Sequence, residues 1–342
     1  MRARGQREVE GTAATYLLPI RLSEPADVEL TSYLLSVSRR CRVIVVDGSP
    51  PDVFRASHES WSMFAIHVPP ADIWRCANGK VHGVLSGLEL VDSPWLVIAD
   101  DDVRYTLQGL DRCLEALRGA DLVRPQNYFD PLPWHARWDT ARIVLNRATG
   151  GDFPGTLLVR TEALRAAGGY SGEVLFENLE MMRSIERAGG TCVSRPDLYV
   201  RRLPPTSKHF MSQRVRQAYD EFARPHRLLV WLALLPGALW MIKTRRPWAL
   251  LAGAVASMVL AESGRRRSGG REWFPASASM LAPVWLVERA VCAWCALGCR
   301  LTGGVRYSSG KLVQAATPRR SLPIGRHDAA LPSTNSGRVQ AC

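Results

Sequence analysis

The hydrophobic and polar positions of the chain follow two regimes that change near Arg224-Pro225. Before that point short apolar runs alternate with helix-spaced stretches. Tyr16-Leu17-Leu18-Pro19-Ile20-Arg21 reads as a strand, and Val28, Leu30, Tyr33, Leu34 and Val37 set a helical period between Ala26 and Val37. Arg42-Val43-Ile44-Val45-Val46 is a continuous apolar run, the pattern of a parallel strand covered on both faces, and Asp47-Gly48-Ser49-Pro50-Pro51 reads as the turn that stops it. A third short strand runs from Met63 to Val68. Asn78-Gly79-Lys80 opens a helix with Val81, Val84, Leu85, Leu88 and Val91 on its apolar face. Leu96-Val97-Ile98-Ala99 is the next strand, and it runs into Asp100-Asp101-Asp102. Further on come a helix from Leu107 to Leu117, a short strand at Asp121 to Pro125, a Gly-rich loop over 150–155, a strand from Thr156 to Arg160, and a helix stopped by Gly168-Gly169. A last helix opens near Glu177. Strands and helices in this order predict an α/β fold with a mostly parallel sheet flanked by helices.

After Arg224-Pro225 the runs lengthen. Leu228 to Ile242 and Trp248 to Leu260 are apolar, and Phe274 to Leu301 is longer but interrupted by Glu288 and Arg289. A straight membrane span needs about 20 apolar residues, so the first two are short. If both crossed, Lys243-Thr244-Arg245-Arg246 between them would lie on the non-cytoplasmic side, against the positive-inside rule. A re-entrant or interfacial hairpin, with the third segment spanning or lying flat, fits that charge placement. The expected division is an α/β domain over 14–222, a membrane-associated helical region over 223–314, and a disordered basic tail over 315–342 that is rich in Pro, Ser, Gly and Arg.

Composition agrees with one large α/β domain plus an appendage, with 46% hydrophobic and 22% charged residues in 342. The formal charge of +12 calls for an anionic partner. Its excess lies beside the apolar segments, at Arg245-Arg246, Arg265-Arg266-Arg267, Arg271 and Arg319-Arg320, which favours a membrane surface over nucleic acid. No RNA-binding aromatic signature, zinc-finger spacing or helix-turn-helix pattern argues otherwise. Eight cysteines lack framework-like spacing and no secretory signal precedes them, so the α/β part is expected to be reduced and cytoplasmic. Cys292, Cys295 and Cys299 share one helix face among apolar neighbours and read as packing residues rather than a metal site.

The chemistry concentrates at strand ends. Three adjacent carboxylates repel one another unless something cationic neutralises them, and a hard divalent ion does so with oxygen ligands while bridging a diphosphate. An acidic turn explains the same residues taken alone. Asp47, at the end of its strand, is placed to accept hydrogen bonds from a base or ribose. Lys80 at a helix start opposes the dipole and suits an anion there. Trp134, in a segment rich in Trp, His and Arg, and Asp152, in the Gly-rich loop, are candidates for an acceptor site. Glu177 and Glu180, in the first turn of a helix, oppose its dipole favourably and can equally serve as a general base.

Taken in order, Asp47 in VVDGS, Lys80 in NGK, Asp100 to Asp102 in IADDD, the Gly-rich loop before an Arg-ended strand, Glu177-Asn178-Leu179-Glu180 with Arg183, and Gln213-Arg214-Val215-Arg216 resemble a family 2 glycosyltransferase of the GT-A fold. The resemblance spans about residues 14–222. It implies a nucleotide-sugar donor, Mg²⁺ or Mn²⁺, and inversion at the anomeric carbon. By position Asp47 would contact the nucleoside, Asp100 and Asp101 the nucleotide, Asp102 with Asp100 the metal, and Lys80, Arg214 and Arg216 the diphosphate. The family's helix usually begins Glu-Asp, with the Asp as base. Asn178 stands there instead, an amide that takes no proton, which leaves Glu177 first and Glu180 second. Gln217 likewise replaces the Trp of a QxxRW element. The implied function is hexose transfer to a lipid-linked or cell-envelope glycan acceptor at the inner membrane, with the catalytic domain cytoplasmic. Two rivals are a non-catalytic membrane-associated partner that keeps the fold, and a nucleotidyltransferase, for which no Gly-rich phosphate loop precedes Asp47.

Overall fold

The computed structural model describes residues 14–307 and 310–318. Its elements, in chain order, are β1 (Ala14–Ile20), α1 (Val28–Val37), β2 (Arg42–Asp47), α2 (Pro51–Trp61), β3 (Ala65–Val68), α3 (Gly79–Leu88), β4 (Trp95–Ala99), β5 (Val103–Arg104), α4 (Leu107–Leu117) and β6 (Leu122–Phe129). They continue with α5 (Trp134–Thr149), β7 (Thr156–Arg160), α6 (Thr161–Ala166), α7 (Glu177–Arg187), β8 (Cys192–Arg202) and α8 (Ser207–Tyr219). The apolar regime supplies α9 (Pro225–Lys243), α10 (Pro247–Arg266), α11 (Ala276–Met280) and α12 (Ala282–Leu301), and a small hairpin of β9 (Val305–Tyr307) and β10 (Gly310–Leu312) follows.

Strands β1 to β8 form one sheet in the order β3-β2-β1-β4-β7-β6-β8-β5. The β3-β2-β1-β4 half is parallel, as the apolar runs predict. The other half is mixed, because β7 runs antiparallel to both β4 and β6, and β5 runs antiparallel to β8. The sheet is therefore less parallel than expected, and the cause is the Gly-rich loop. Residues 150–155 deliver the chain to the carboxyl edge of β4, where Gly155 O accepts from Asp100 N at 2.8 Å, so β7 starts at that edge and runs back down the sheet.

Elements beyond the sequence reading include α2 and β8. The Pro-rich turn after β2 also starts α2, since Pro51 occupies the first helical turn, where a missing N–H costs nothing. Strand β8 carries Leu198 and Val200 into the core and ends at Arg202. Helix α3 begins as expected. Asn78 caps it, its side chain accepting from Lys80 N at 3.1 Å and Val81 N at 3.3 Å.

Both faces of the sheet are covered. Leu34, Trp61, Leu110 and Leu117 pack on one face, and Val81, Val84, Leu164 and Ile185 on the other. A third cluster of Phe129, Val144, Trp231, Ala261, Phe274 and Trp285 joins α5 to α9, α10 and α12. Gly264 of α10 packs directly on α5, because a Cβ there would lie 1.9 Å from Val144 O. Helices α9 and α12, and the segment Pro247–Glu272 that contains α10, are long and apolar enough to cross a membrane. Leu229, Val230, Trp240, Trp248, Leu251, Val259, Val287 and Trp294 are exposed on them. Helix α12 is nonetheless tied along its length to the α/β layer, with Trp285, Cys292, Ala293 and Ala296 buried and Glu288 bonded to Arg214 of α8 at 2.7 Å.

The segment after α12 returns to the α/β unit. Leu175 N and Phe176 N donate to Gln314 O and Ala315 O at 3.0 and 2.8 Å, and Ala315 and Ala316 are buried. Residues 315–318 are thus packed where the disordered tail was expected to begin. The remainder of that tail lies outside the described residues.

Candidate active site

Open α/β sheets bind ligands beyond the carboxyl ends of their strands, where neighbouring strands leave in opposite directions. Here that point lies between β1 and β4, and a cavity of about 380 Å³ opens beside it. Its size falls in the roughly 300–1,000 Å³ range of small-molecule sites. Lys80, Asp100, Asp102, Asp152, Glu177, Asn178 and Arg202 line it from strand ends, helix starts or the returning loop, and Arg216 lines it from the last turn of α8.

The carboxylates after β4 are held in a ring of cations. Lys80 Nζ lies 2.6 Å from Asp100 Oδ1 and 3.1 Å from Glu177 Oε1. Burial would lower the Lys80 ammonium's pKa, but Asp100 and Glu177 outweigh it and hold the group above its ordinary range. Arg202, from the end of β8, donates to Asp102 Oδ2 at 2.8 Å and Asp100 Oδ2 at 3.4 Å. Burial raises the Asp102 carboxyl above the usual carboxylate range, with Arg202 opposing. Asp102 Oδ1 is buried with no hydrogen-bond partner among the described residues. Gly155 lets the loop approach this cluster, since a Cβ there would lie 2.5 Å from Asp100 Oδ2.

Asn178 does a task an aspartate could not. Its Nδ2 donates to Pro154 O at 2.9 Å while its Oδ1 accepts from Lys80 at 3.4 Å, so it clasps the Gly-rich loop to α7. Glu177 faces the cavity but is engaged by Lys80. Glu180 is fully buried and does not line the cavity; its Oε2 accepts from Thr317 N at 2.7 Å, which ties the returning segment to α7.

The other candidates divide between the cavity lining and positions outside it. Asp47 is buried at the end of β2 and outside the cavity lining, its Oδ2 3.1 Å from His67 Nε2 and its Oδ1 accepting from Ser49 N at 2.8 Å. Asp101 is exposed and outside the lining. Arg214 does not line the cavity either, because Asp139 at 2.9 Å and Glu288 at 2.7 Å take its guanidinium into a buried brace between α5, α8 and α12. Arg216 lines the cavity, stacked on Tyr307 at 4.6 Å. Trp134 is 58% exposed and packs edge-on to Phe210 outside the lining. Asp152 does line the cavity, paired with Arg142 at 2.6 Å and accepting from Asn146 at 2.9 Å.

Several lining residues carry no sequence candidate. Arg202 ends a strand whose alternation of Leu198, Val200 and Arg202 was its only signal. Arg289 is one of the two charges that interrupt the last apolar run, a pattern that marks function in apolar helices. It is 2% exposed, stacks on Trp285 at 5.0 Å, and leaves Nε and Nη1 without a hydrogen-bond partner among the described residues. Asp220, at the end of α8, also lines the cavity, with its Oδ1 buried and unpartnered among the described residues. Tyr307 of β9 completes the wall and donates to Asn78 Oδ1 at 3.1 Å.

No family model matches the chain, and no curated protein matches it. Solved structures do. It is similar to a mannosyltransferase from Pyrobaculum calidifontis, solved in complex with GDP-Man and Mn²⁺, at 17% identity and a TM-score of 0.47, over 82% of this chain and 86% of that one. It is also similar to S. aureus TarS in complex with UDP-GlcNAc, at 13% identity and a TM-score of 0.41 over 58% of this chain and 60% of that one. A third similarity is to mannosyl-3-phosphoglycerate synthase from Rubrobacter xylanophilus, at 14% identity and a TM-score of 0.41 over 58% of this chain and 70% of that one.

Proposed function

We propose that the chain is an inverting glycosyltransferase that moves a hexose from a nucleotide-sugar donor to a hydroxyl of a lipid-linked or cell-envelope glycan acceptor at a membrane surface. The observation that carries this reading is the convergence of Asp100, Asp102, Lys80, Glu177 and Arg202 on one cavity at the carboxyl edge of β4. Ion-paired cations beside strand-end carboxylates suit a diphosphate. Lys80 and Arg202 can turn from the carboxylates to phosphate oxygens, which match a guanidinium fork and an ammonium equally well.

A divalent cation fits this donor set. Asp102 Oδ1 is a hard oxygen without a hydrogen-bond partner among the described residues, Asp100 lies beside it, and Mg²⁺ is usually held by one or two carboxylates with the rest of its shell from phosphates and water. Among the described residues no three His, Cys, Asp or Glu side chains group as a complete protein cage. When bound, the ion would supply Lewis-acid stabilisation of charge on the departing diphosphate. The chain's own residues then do the remaining work: Lys80 and Arg202 hold the diphosphate, Asn178 fixes the Gly-rich loop, and Arg216 on Tyr307 closes the cavity's far wall.

The exposed apolar faces of α9, α10 and α12 support membrane attachment. Helix α12 lies along the α/β unit with Glu288 and Arg289 turned inward, so its outer face can rest in lipid while its inner face borders the cavity. Inner-membrane location with the catalytic unit cytoplasmic agrees with the basic segments flanking these helices.

The test is thermal stabilisation of the detergent-solubilised full chain by a panel of nucleoside diphosphates with Mg²⁺ or Mn²⁺. Stabilisation by one nucleotide that needs metal and is lost in Asp102→Ala is expected, at about 2.7 kcal/mol for ligand at 100 times Kd. Absence of stabilisation by every nucleotide with either metal would overturn the reading. Binding without diphosphate release from any nucleotide sugar would instead favour the non-catalytic partner.

A further inference from the structure

The charges that line the cavity pair off with one another almost completely. Lys80 takes Asp100 and Glu177, Arg202 takes Asp100 and Asp102, Arg142 takes Asp139 and Asp152, and Arg224 and Arg227 take Glu221 at 3.1 and 3.4 Å. Asp220 stands outside all of these pairs. It ends α8 at the first residue of the 3-10 turn Asp220–Ala223, and Oδ1 is enclosed without a hydrogen-bond partner among the described residues. An unpartnered buried carboxylate oxygen costs stability unless something visits it. Glu177 is near enough to repel it, and Glu177 touches Lys80, which touches Asp100, so Asp220 lines the same cavity as the residues of the diphosphate end.

Resting on the transferase reading above, we infer that Asp220 is the catalytic base, the carboxylate that takes the proton from the acceptor hydroxyl. In that step the acceptor oxygen forms its bond to the anomeric carbon as the bond from that carbon to the diphosphate oxygen breaks. The bonding pair leaves with the nucleoside diphosphate, and the hydroxyl proton passes to Asp220. Asn178 then needs no replacement on its own helix, and Glu177 stays the partner of Lys80. The environment suits a base that works near neutrality. Burial and the nearby Glu177 push the Asp220 carboxyl up, Arg216, Arg289 and Arg224 pull it down, and the balance leaves it at about 7. These groups, from α7, α8, α12 and the residue that joins the 3-10 turn to α9, are the charges that face it.

The experiment measures nucleoside diphosphate released from UDP- and GDP-hexoses by the full chain in detergent with Mg²⁺, water serving as the acceptor hydroxyl, across pH 5 to 9. Asp220→Asn should lose about 10²-fold or more in kcat while the nucleoside diphosphate still stabilises the protein as in the wild type. Wild-type kcat should rise through an apparent pKa near 7, and Asp220→Glu should keep part of the rate with that pKa displaced. Release by Asp220→Asn within tenfold of wild type, with the same pH profile, overturns the inference and leaves the transferase reading standing. Wild-type nucleotide binding with no release overturns the inference together with the transferase reading and favours the non-catalytic partner. A wild type that binds no nucleotide overturns both. If Asp220→Asn does not fold, Asp220→Glu carries the test, and wild-type kcat with an unmoved pH profile refutes the assignment.

Discussion

The two ends of the cavity are built on opposite principles. At the β4 end every carboxylate that lines the wall has a cation against it, so Asp100, Asp102 and Glu177 are locked by Lys80 and Arg202. At the α12 end Asp220 and Arg289 leave buried polar atoms unpartnered among the described residues. A cluster whose carboxylates are each ion-paired, with one open oxygen at Asp102 Oδ1, is pre-organised, and it can trade internal partners for a charged ligand with little rearrangement. An unpartnered group gains most when a ligand arrives. Under the transferase proposal, the contrast would give the charged donor the first end and the hydroxyl-bearing acceptor the second.

The largest expected effect tests the frame that holds the two ends together. Asp139 sits between Arg142 and Arg214; burial pushes its carboxyl up, but the two guanidiniums outweigh it and leave it strongly acidic, so Asp139→Ala removes the carboxylate that two buried cations share and leaves each with one partner fewer. We expect a loss of about 3–5 kcal/mol in denaturant or thermal unfolding, whereas an unchanged midpoint would break the brace. Next, Asp102→Asn should lower turnover about 10²–10³-fold and abolish metal-dependent nucleotide stabilisation, since it removes the donor end's free oxygen. A variant that keeps metal dependence would move the donor site elsewhere.

Two smaller effects sharpen the contrast. The Asp220 carboxyl keeps its proton to about pH 7 in the folded chain, against about 3.9 when unfolded. Between those values the folded state binds more protons, so stability falls as pH rises through the window and the penalty is complete above it. Asp220→Asn should therefore melt higher than wild type near pH 8 and equal to it near pH 4; no difference at pH 8 would mean the carboxyl is not strained. Smallest of all, Trp134→Ala should change stability by no more than about 0.5 kcal/mol and leave transfer intact, as expected for an exposed side chain outside the cavity. A tenfold loss of transfer would return Trp134 to the acceptor side.

Much of this architecture was legible along the chain. The buried runs of β1, β2 and β4, the cap at Asn78 and the helical face of Val81, Val84 and Leu88 follow from local periodicity and capping. Lys80 and the Asp cluster were legible as well, because a charge set against a helix dipole and three adjacent like charges are both anomalies that sequence alone exposes. Arg202 was not. Its signal is one arginine at a strand end, and nothing local says that the sheet order β6-β8-β5 brings it to β4's carboxylates. Arg214 shows the converse, since its spacing with Arg216 is the same whether it faces a diphosphate or Asp139 and Glu288. Helix rotation decides that, and rotation is set by what α5 and α12 present to it.

What the sequence determined by itself is the set of pieces and their chemical kinds: an α/β layer, an apolar helical region with a basic rim, strand-end carboxylates, and the amide that stands where a base was expected. Those follow from interactions within about a dozen residues. Only the tertiary structure decided which charges neutralise one another, that the chain returns after α12 to wall the cavity with Tyr307, and that Asp220 is left over. Pairing of charges is a property of distance in space, and residues as far apart in sequence as Lys80, Glu177 and Tyr307 meet only after the sheet has chosen its strand order.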